Sequence, residues 1–375
     1  MLDELERQIL QEAGVVTLQT LIDEWDPNIN RLSFSAIMKF RDCPIDYFCE
    51  YHTSLANVAN PYLFMGNALH KALEEFYPNI VNPLPRRWGV LDGDGNVIME
   101  EIIDISNLTS EESIRSIGRY YHAVLTLLES KIHFDKVMKF KGTHGFQYDN
   151  QMKRIDDLYD EALMSLRKFA YEEAIRYTQT PTGHFLPYGT EMKVEFQFPG
   201  VPVKTKGFLD VMFTDAYSGG HIPKDYKNRR DPKGKQSDKV QGYIYAYGLD
   251  VCFGILVDRF IFKNIKASNA FGVNQAIKAR SYPVFPEHTV PIDRDKFHLI
   301  ESIVKETYFA MTDKKSYVVH KDKDRCPNSW FCPYKAYCLG VGMFDRRGVH
   351  LTSERSHREE EPVNIDGLIF TEGTA

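Results

Sequence analysis

The chain has 375 residues, 43% of them hydrophobic and 26% charged, the make-up of an ordinary globular protein long enough to bury a substantial core. Its longest apolar stretches, such as Val251 to Val257, are far too short to cross a bilayer. The opening Met1 to Gly14 carries Asp3, Glu4 and Glu6, unlike the cationic start of a secretory signal, so a cytoplasmic protein without a membrane anchor is expected. The net charge of −6 argues against a polyanionic partner only until it is located, because residues 1–30 hold seven acidic groups against Arg7 and account for all of it. Lys224 to Lys239 reverses the sign, with seven Lys or Arg against Asp225, Asp231 and Asp238, a local +4. Phosphate binding follows such local fields.

In chain order, residues 1–30 read as an acidic amphipathic helix and linker. Leu32-Ser33-Phe34-Ser35 follows, where a serine can cap a helix running through Phe40. A second helical pattern covers 62–77. Between Pro78 and Asn107, proline pairs and Asp92-Gly93-Asp94-Gly95-Asn96 mark loops and a small hairpin. That Asp-Gly run lacks the later ligands of a calcium loop and is read as a turn. Apolar residues at three- and four-residue intervals predict two long helices, about Ser110 to Phe134 and Tyr148 to Thr178. Together these features form a helical insertion at about 80–188, and its bases Lys153, Arg154, Arg167 and Lys168 are read as a solvated helix face in preference to a gate that selects single strands.

From Glu191 the period changes. Met192, Val194, Phe196 and Phe198 alternate with Lys193, Glu195 and Gln197, as in a half-buried strand. Further strands are expected at Val203 to Thr214, Ile222 to Lys227 and Val257 to Ile265, with helices at Gln236 to Leu249 and about Arg294 to Thr312. The fold class is α/β: a small mixed sheet flanked by helices, with a helical insertion and a C-terminal cysteine segment. The main domain spans 31–345 with its catalytic core at about 190–265, and 346–375 reads as a mobile acidic tail.

Gly207-Phe208-Leu209-Asp210 is followed fifteen residues later by Asp225-Tyr226-Lys227. On a strand, Asp225 and Lys227 share a face. Asp210, late on the preceding strand, can converge with Asp225 on a hard cation such as Mg²⁺, which prefers carboxylate oxygens and keeps waters. Such an ion lowers the pKa of a bound water and stabilises charge on a phosphate under attack. Lys227 can orient or deprotonate that water, or neutralise developing charge. An exposed ion pair is the bland alternative for Asp225 and Lys227. Gln241 and Tyr245 are four apart on the next helix, so they share a face that can contact a DNA backbone or brace the lysine. In Gly66-Asn67-Ala68-Leu69-His70, His70 is either structural or, as a neutral imidazole, a metal ligand.

Six cysteines stand at 43, 49, 252, 326, 332 and 338. Three within thirteen residues point to metal ligation ahead of disulfides in a cytoplasmic protein. Pro327 and Pro333 oppose regular structure there, which favours a loop wrapped around a cofactor, and four thiolates suit iron–sulfur clusters or Zn²⁺. Cys49 and Cys252 lie in apolar runs and are expected in the core.

These motifs resemble the PD-(D/E)XK nuclease superfamily, in particular its RecB-like branch with the CRISPR-adaptation exonucleases and the AddB nuclease domain, over roughly residues 32–77 and 191–340. The resemblance implies metal ligation by His70, Asp210 and Asp225, the family lysine at Lys227 and the Gln-x-x-x-Tyr motif at Gln241 and Tyr245. Glu195 fits an acidic residue often seen on the preceding strand. The branch commonly carries a [4Fe–4S] cluster on one early and three late cysteines, here Cys43 with Cys326, Cys332 and Cys338. The spacing departs from the family's, since five residues separate Cys326 from Cys332 where two are usual, and Ser329 stands where the nearer cysteine would be. The implied activity is a Mg²⁺- or Mn²⁺-dependent DNA exonuclease acting on free or single-stranded ends in recombination, repair or replication. Two rivals are a non-cutting DNA-binding or assembly subunit and a zinc-stapled interaction protein.

Overall fold

The computed structural model describes residues 14–53, 61–77, 87–91, 97–102, 119, 123–124, 126–133, 146–179, 186–229, 235–266, 285–319, 334–338 and 344–345. Its centre is a six-stranded mixed sheet. The strands are β2 (Arg31–Ser33), β5 (Gly189–Phe196), β6 (Lys204–Thr214), β7 (His221–Lys227), β8 (Arg259–Asn264) and β9 (Glu287–Pro291). The order is β2-β6-β7-β8-β9, with β5 also paired to β6. The alternation read at 192–198, the paired strands after it and the helix crossing to a parallel strand are all present, so the α/β core of the expected kind is observed.

One core lies on each face, as apolar burial demands of a sheet whose side chains alternate. On the first face pack β5 and β6 residues Val194, Phe196 and Leu209, with helices α2 (Phe34–Asp42), α3 (Pro44–His52), α6 (Gln236–Phe253) and α7 (Phe297–Met311). Ser33 caps α2 as its sequence promised, accepting from Ala36 N at 3.1 Å. α6 ends where Gly254 takes the left-handed conformation, φ 65°, and its N–H returns to Asp250 O at 2.9 Å. The opposite core joins α4 (Pro61–Glu74) and the long α5 (Phe146–Gln179) to Val211, Phe213 and Tyr226 of the sheet.

Several expectations change. Residues 14–30 are not a linker: Val16, Leu18, Leu21, Ile22, Trp25 and Ile29 are buried in the first core, mostly through α1 (Leu18–Glu24). β1 (Val15–Val16) pairs antiparallel with β10 (Phe344–Asp345), which ties the two ends of the described chain together. The hairpin foreseen between Pro78 and Asn107 is β3 (Arg87–Leu91) with β4 (Val97–Ile102). Within the insertion, Lys153 and Arg154 are exposed, but Lys168 is buried, its ammonium 3.8 Å from the centre of the Phe285 ring. The tail at 346–375 lies outside the described residues.

Candidate active site

β6 is paired with β5 along one edge, and on its other edge it has two successive neighbours. β2 pairs with 204–206 and β7 with 211–214. Residues 207–210 face the notch between them, which is the Gly-Phe-Leu-Asp element. The ladder on the β7 side ends with Val211 opposite Lys224, so one further step along it brings Asp210 level with Asp225. The strands part there instead, and Asp210 Oδ2 accepts from Tyr226 N–H at 2.6 Å. On the β5 side, Thr190 pairs with Val211 and Met192 with Leu209, which sets Glu191 beside Asp210. Three acidic residues therefore form a row across three strands. β6 also changes face at this point: Leu209 belongs to the first core and Val211 to the second, although residues two apart on a regular strand share a face. Glu191 shows the same distortion, with a φ of 46° that is rare for a non-glycine residue.

Asp225 and Lys227 point toward α6, where Gln241 links them. Gln241 Nε2 donates to Asp225 Oδ1 at 2.8 Å, and its Oε1 accepts from Lys227 Nζ at 2.8 Å. Lys227 Nζ also lies 2.6 Å from Asp225 Oδ2. This closed ring fixes which end of the amide faces which charge, because only the NH₂ can serve the carboxylate and only the oxygen the ammonium. Tyr245, one turn further along α6, faces the Phe208 backbone and the Gln241 side chain. It explains Gly207, because a Cβ there would stand 2.7 Å from Tyr245 Cε1. The start of α6 is anchored by a two-point pair from Arg229 to Asp238, at 3.0 and 2.5 Å. Within the basic run, Lys224, Lys227 and Arg229 are thus each matched to a carboxylate, Lys224 to Glu287 at 3.1 Å.

His70 comes from α4 on the other side of the notch, its Nδ1 3.6 Å from Asp210 Oδ2. Tyr77 and Tyr226, hydroxyl oxygens 3.4 Å apart, fasten α4 to β7. Although 36% of the His70 side-chain surface opens to the cleft, the protein packed around the ring lowers the imidazole pKa, against an opposing pull from Asp225. His70 is therefore neutral at pH 7 and offers a lone pair. Asp210 shifts the opposite way: burial first, then the charges of Asp225 and Glu191, push its pKa well above the carboxylate range, against the Tyr226 N–H bond. Glu191 is pushed up to about 7 by burial, Glu74 and Asp225.

Two carboxylates, an imidazole and a neighbouring glutamate suit a hard divalent cation in chemistry and in field. Asp225 Oδ2 is buried with the Lys227 ammonium 2.6 Å away as its charge partner, and a positive charge near Asp210 would relieve the crowding of Asp210 by like charges. Among the described residues, however, no three His, Cys, Asp or Glu side chains stand together ready to hold a metal ion. His70 and Asp210 meet, while Asp225 is turned to Lys227 and Gln241.

A family model describing the PD-(D/E)XK nuclease superfamily matches residues 31–339. The chain belongs to the PD-(D/E)XK nuclease superfamily. As a PD-(D/E)XK protein it is a nuclease, a phosphodiester hydrolase of a class that typically works with Mg²⁺ or Mn²⁺. No curated protein matches the chain. Among solved structures, one titled "Crystal structure of SSO0001" is 19% identical over 50% of this chain and 79% of that one, with a TM-score of 0.27, too low to bear on fold or mechanism.

Of the residues singled out in the sequence of this PD-(D/E)XK chain, His70, Asp210, Asp225, Lys227, Gln241 and Tyr245 are brought together where β6 leaves β7. Glu195 does not. It stands four residues from Glu191, roughly 13 Å along the strand, and pairs on the open face with Lys193 at 2.5 Å and Lys204 at 3.2 Å. The acidic residue beside Asp210 is Glu191. Its sequence signal was position alone, the first residue of the alternating run and level with Asp210 once the hairpin register is drawn. Cys43 and Cys338 are half-buried against the first core, and Cys326 and Cys332 lie outside the described residues. Cys43 Sγ also accepts from Asp46 N–H at 3.5 Å, at the cap of α3. Cys49 is fully buried as expected, whereas Cys252 is half-buried and donates to Glu195 O at 3.6 Å.

Proposed function

We propose that this nuclease is a DNA exonuclease that removes nucleotides from free ends during recombination, repair or replication. The observation that carries the reading is the closed Asp225–Lys227–Gln241 ring set beside Asp210 and His70 in a notch open to solvent. A buried ion pair held by an amide costs desolvation that folding alone does not require, and its place here fits a site built to handle a phosphate. His70, Asp210 and Asp225 are the residues that would hold a Mg²⁺ or Mn²⁺ ion. When bound, that ion supplies Lewis acidity at the scissile phosphate and a water that loses its proton more readily.

The chain's own groups do the rest. Gln241 holds the Lys227 ammonium facing the cleft, where it meets charge that builds on the phosphate oxygens. The neutral His70 ring keeps its lone pair available at neutral pH. Glu191, with a pKa near 7, can take a proton from the reacting water or return one. We further propose that Cys43, Cys326, Cys332 and Cys338 bind a [4Fe–4S] cluster that joins the early helices to the C-terminal segment, with Zn²⁺ as the alternative occupant. Two of these thiols stand against the same core, which supports a purely structural role.

The intact acidic and lysine set argues against a subunit that keeps the fold but has lost cutting. End-labelled DNA incubated with Mn²⁺ and the purified protein tests the activity, beside an Asp225→Ala variant. Loss of label as short products from the parent protein alone is expected. Equal degradation in both samples, or none in either, would reject the assignment.

A further inference from the structure

The apolar run from Val251 to Val257, among the longest in the chain, is only partly used by the core. Ile255 and Val257 are buried in the first core, while Val251, Phe253 and Leu256 come to the surface, each between 48% and 56% exposed, where α6 ends at the left-handed Gly254. We infer that this surface, together with Tyr217 and Leu299, is the interface on which a second copy of the chain docks to give a two-fold homodimer. The inference is independent of the nuclease reading.

Three observations carry it. The first is that the pieces share one end of the molecule. β7 and β8 run parallel, so the β6–β7 turn, the start of β8 and the end of β9 all lie at the end of the sheet opposite Asp225 and Lys227. Hydrogen bonds join them: Arg259 Nη2 donates to Asp215 Oδ2 in the turn at 3.1 Å, Ile292 N–H to Asp258 O at 2.9 Å, and Arg294 Nη2 to Asp250 Oδ2 on α6 at 2.7 Å. The second is Tyr217 at the tip of that turn, 92% exposed and yet held by an ordered backbone. Asp215 Oδ1 accepts from Tyr217 N–H at 2.9 Å and from Ser218 N–H at 3.0 Å, and Gly219 takes the positive φ of 69° that the turn needs. A tyrosine on a rigid turn gives up little freedom when it docks, and tyrosine is favoured where interfaces carry most of their energy. The third is size and sign. Tyr217, Val251, Phe253, Leu256 and the half-exposed Leu299 offer apolar surface on the order of 500 Å², and with their charged rim they reach on the order of 800 Å² per copy, the size of a standard stable interface. The rim holds Asp258, Asp293 and Asp295 with Arg259, Arg294 and Lys296, three of each sign. Such a balance does not draw a polyanion, and it suits a surface that meets its own image, where the acids of one copy face the bases of the other.

Asp210 stands four residues before the end of β6, roughly 13 Å along the strand. The two notches of the dimer therefore face away from the shared surface, and both stay open.

Sedimentation velocity of the full-length protein across a wide range of concentration is the test. The parent is expected to sediment at twice the chain mass and to dissociate on dilution. Tyr217→Asp and Leu256→Asp, each setting a charge on the apolar surface, should raise the dimer dissociation constant about tenfold or more. Val318→Asp, equally exposed but beyond the far end of α7, should leave it unchanged. All three positions are at the surface, and unchanged circular dichroism in each variant establishes that folding is intact. A parent that stays monomeric at every concentration would overturn the inference, whether the C-terminal segment or another protein then covers the surface. A dimer that persists in both Tyr217→Asp and Leu256→Asp would place the contact elsewhere and overturn it as well. The readout needs no cutting, so its failure and the failure of the nuclease reading are separate results.

Discussion

Replacing Asp210 with asparagine should make the metal-free protein more stable and the metal-treated protein less so. The side chain is 15% exposed and shares its surroundings with Asp225 and Glu191, and burial with those charges raises its pKa well above the usual carboxylate range. At a pH above that raised value the folded protein carries an ionised group in a place that penalises it. Asparagine keeps an oxygen for the Tyr226 N–H bond and removes the charge. The sign follows from linkage. Between the ordinary value and the raised one, the folded state holds a proton that the unfolded state has released, so stability falls as pH rises through that window, and the penalty is constant above it. Relief by a neutral isostere should be worth on the order of 1 kcal/mol, as for other substitutions that remove site strain. With an unfolding entropy of roughly 2.1 cal/mol/K per residue, a chain of 375 residues shifts Tm by about 1.3 °C per kcal/mol if it unfolds as a unit. An ion at a hundred times its Kd adds about 2.7 kcal/mol to the parent, a rise of about 3.5 °C. Scanning calorimetry at pH 8 in EDTA and in excess Mg²⁺ measures both. A variant less stable than the parent in EDTA would refute the electrostatic account of Asp210, and an equal Mg²⁺-induced rise in both proteins would refute its part in cation binding.

Gly207→Ala sets a methyl 2.7 Å from the Tyr245 ring, which is 7% exposed and has little room to yield, so a loss of about 1–3 kcal/mol in stability is expected, read by denaturant midpoint. An unchanged midpoint would mean that Tyr245 is free to move. Glu191→Gln should remove a penalty that sets in between pH 4.5 and about 7, so the variant exceeds the parent by on the order of 1–2 kcal/mol at pH 8, once partial solvent screening is allowed for. The two should coincide at pH 4, and a constant difference across pH would show that charge is not the cause. Protein purified without oxygen should be brown, with absorbance near roughly 400 nm as expected of cysteine-ligated iron–sulfur centres, and the colour should vanish in Cys332→Ala. A colourless, zinc-containing preparation would give the cysteines to zinc.

The central strands and α6 were legible because each carries one period, and two Asp residues fifteen apart with a lysine marked the candidate site. The short edges were not: β2 has three residues and β9, Glu-His-Thr-Val-Pro, mixes charge with proline, so neither shows an alternation to count. The burial of residues 14–30 was hidden by their acidic character, since Asp23, Glu24 and Asp26 are exposed while Leu21, Ile22 and Trp25 beside them are buried. Glu195 and Glu191 stand on one strand and look alike in sequence. Only the register of β5 on β6 and the change of face at Asp210 separate the residue paired with surface lysines from the one beside the site.

That change of face ties the two cores to the chemistry. Leu209 anchors β6 to one core and Val211 anchors it to the other, so the strand must turn between them, and Asp210 is the residue at the turn. Hydrophobic burial on both sides thus holds a carboxylate where its own electrostatics oppose it. The helical insertion takes part in this. α5 packs Phe169 edge-on against Tyr226 at 5.5 Å, and Tyr226 in turn meets Tyr77 of the α4 segment that carries His70. The backbone N–H of the same Tyr226 binds Asp210, while its chain neighbour Asp225 closes the ring with Lys227 and Gln241. One buried tyrosine on β7 therefore joins α5 to the charged groups on both sides of the candidate site, so loss of the α5 packing is expected to loosen His70 and Asp210 together.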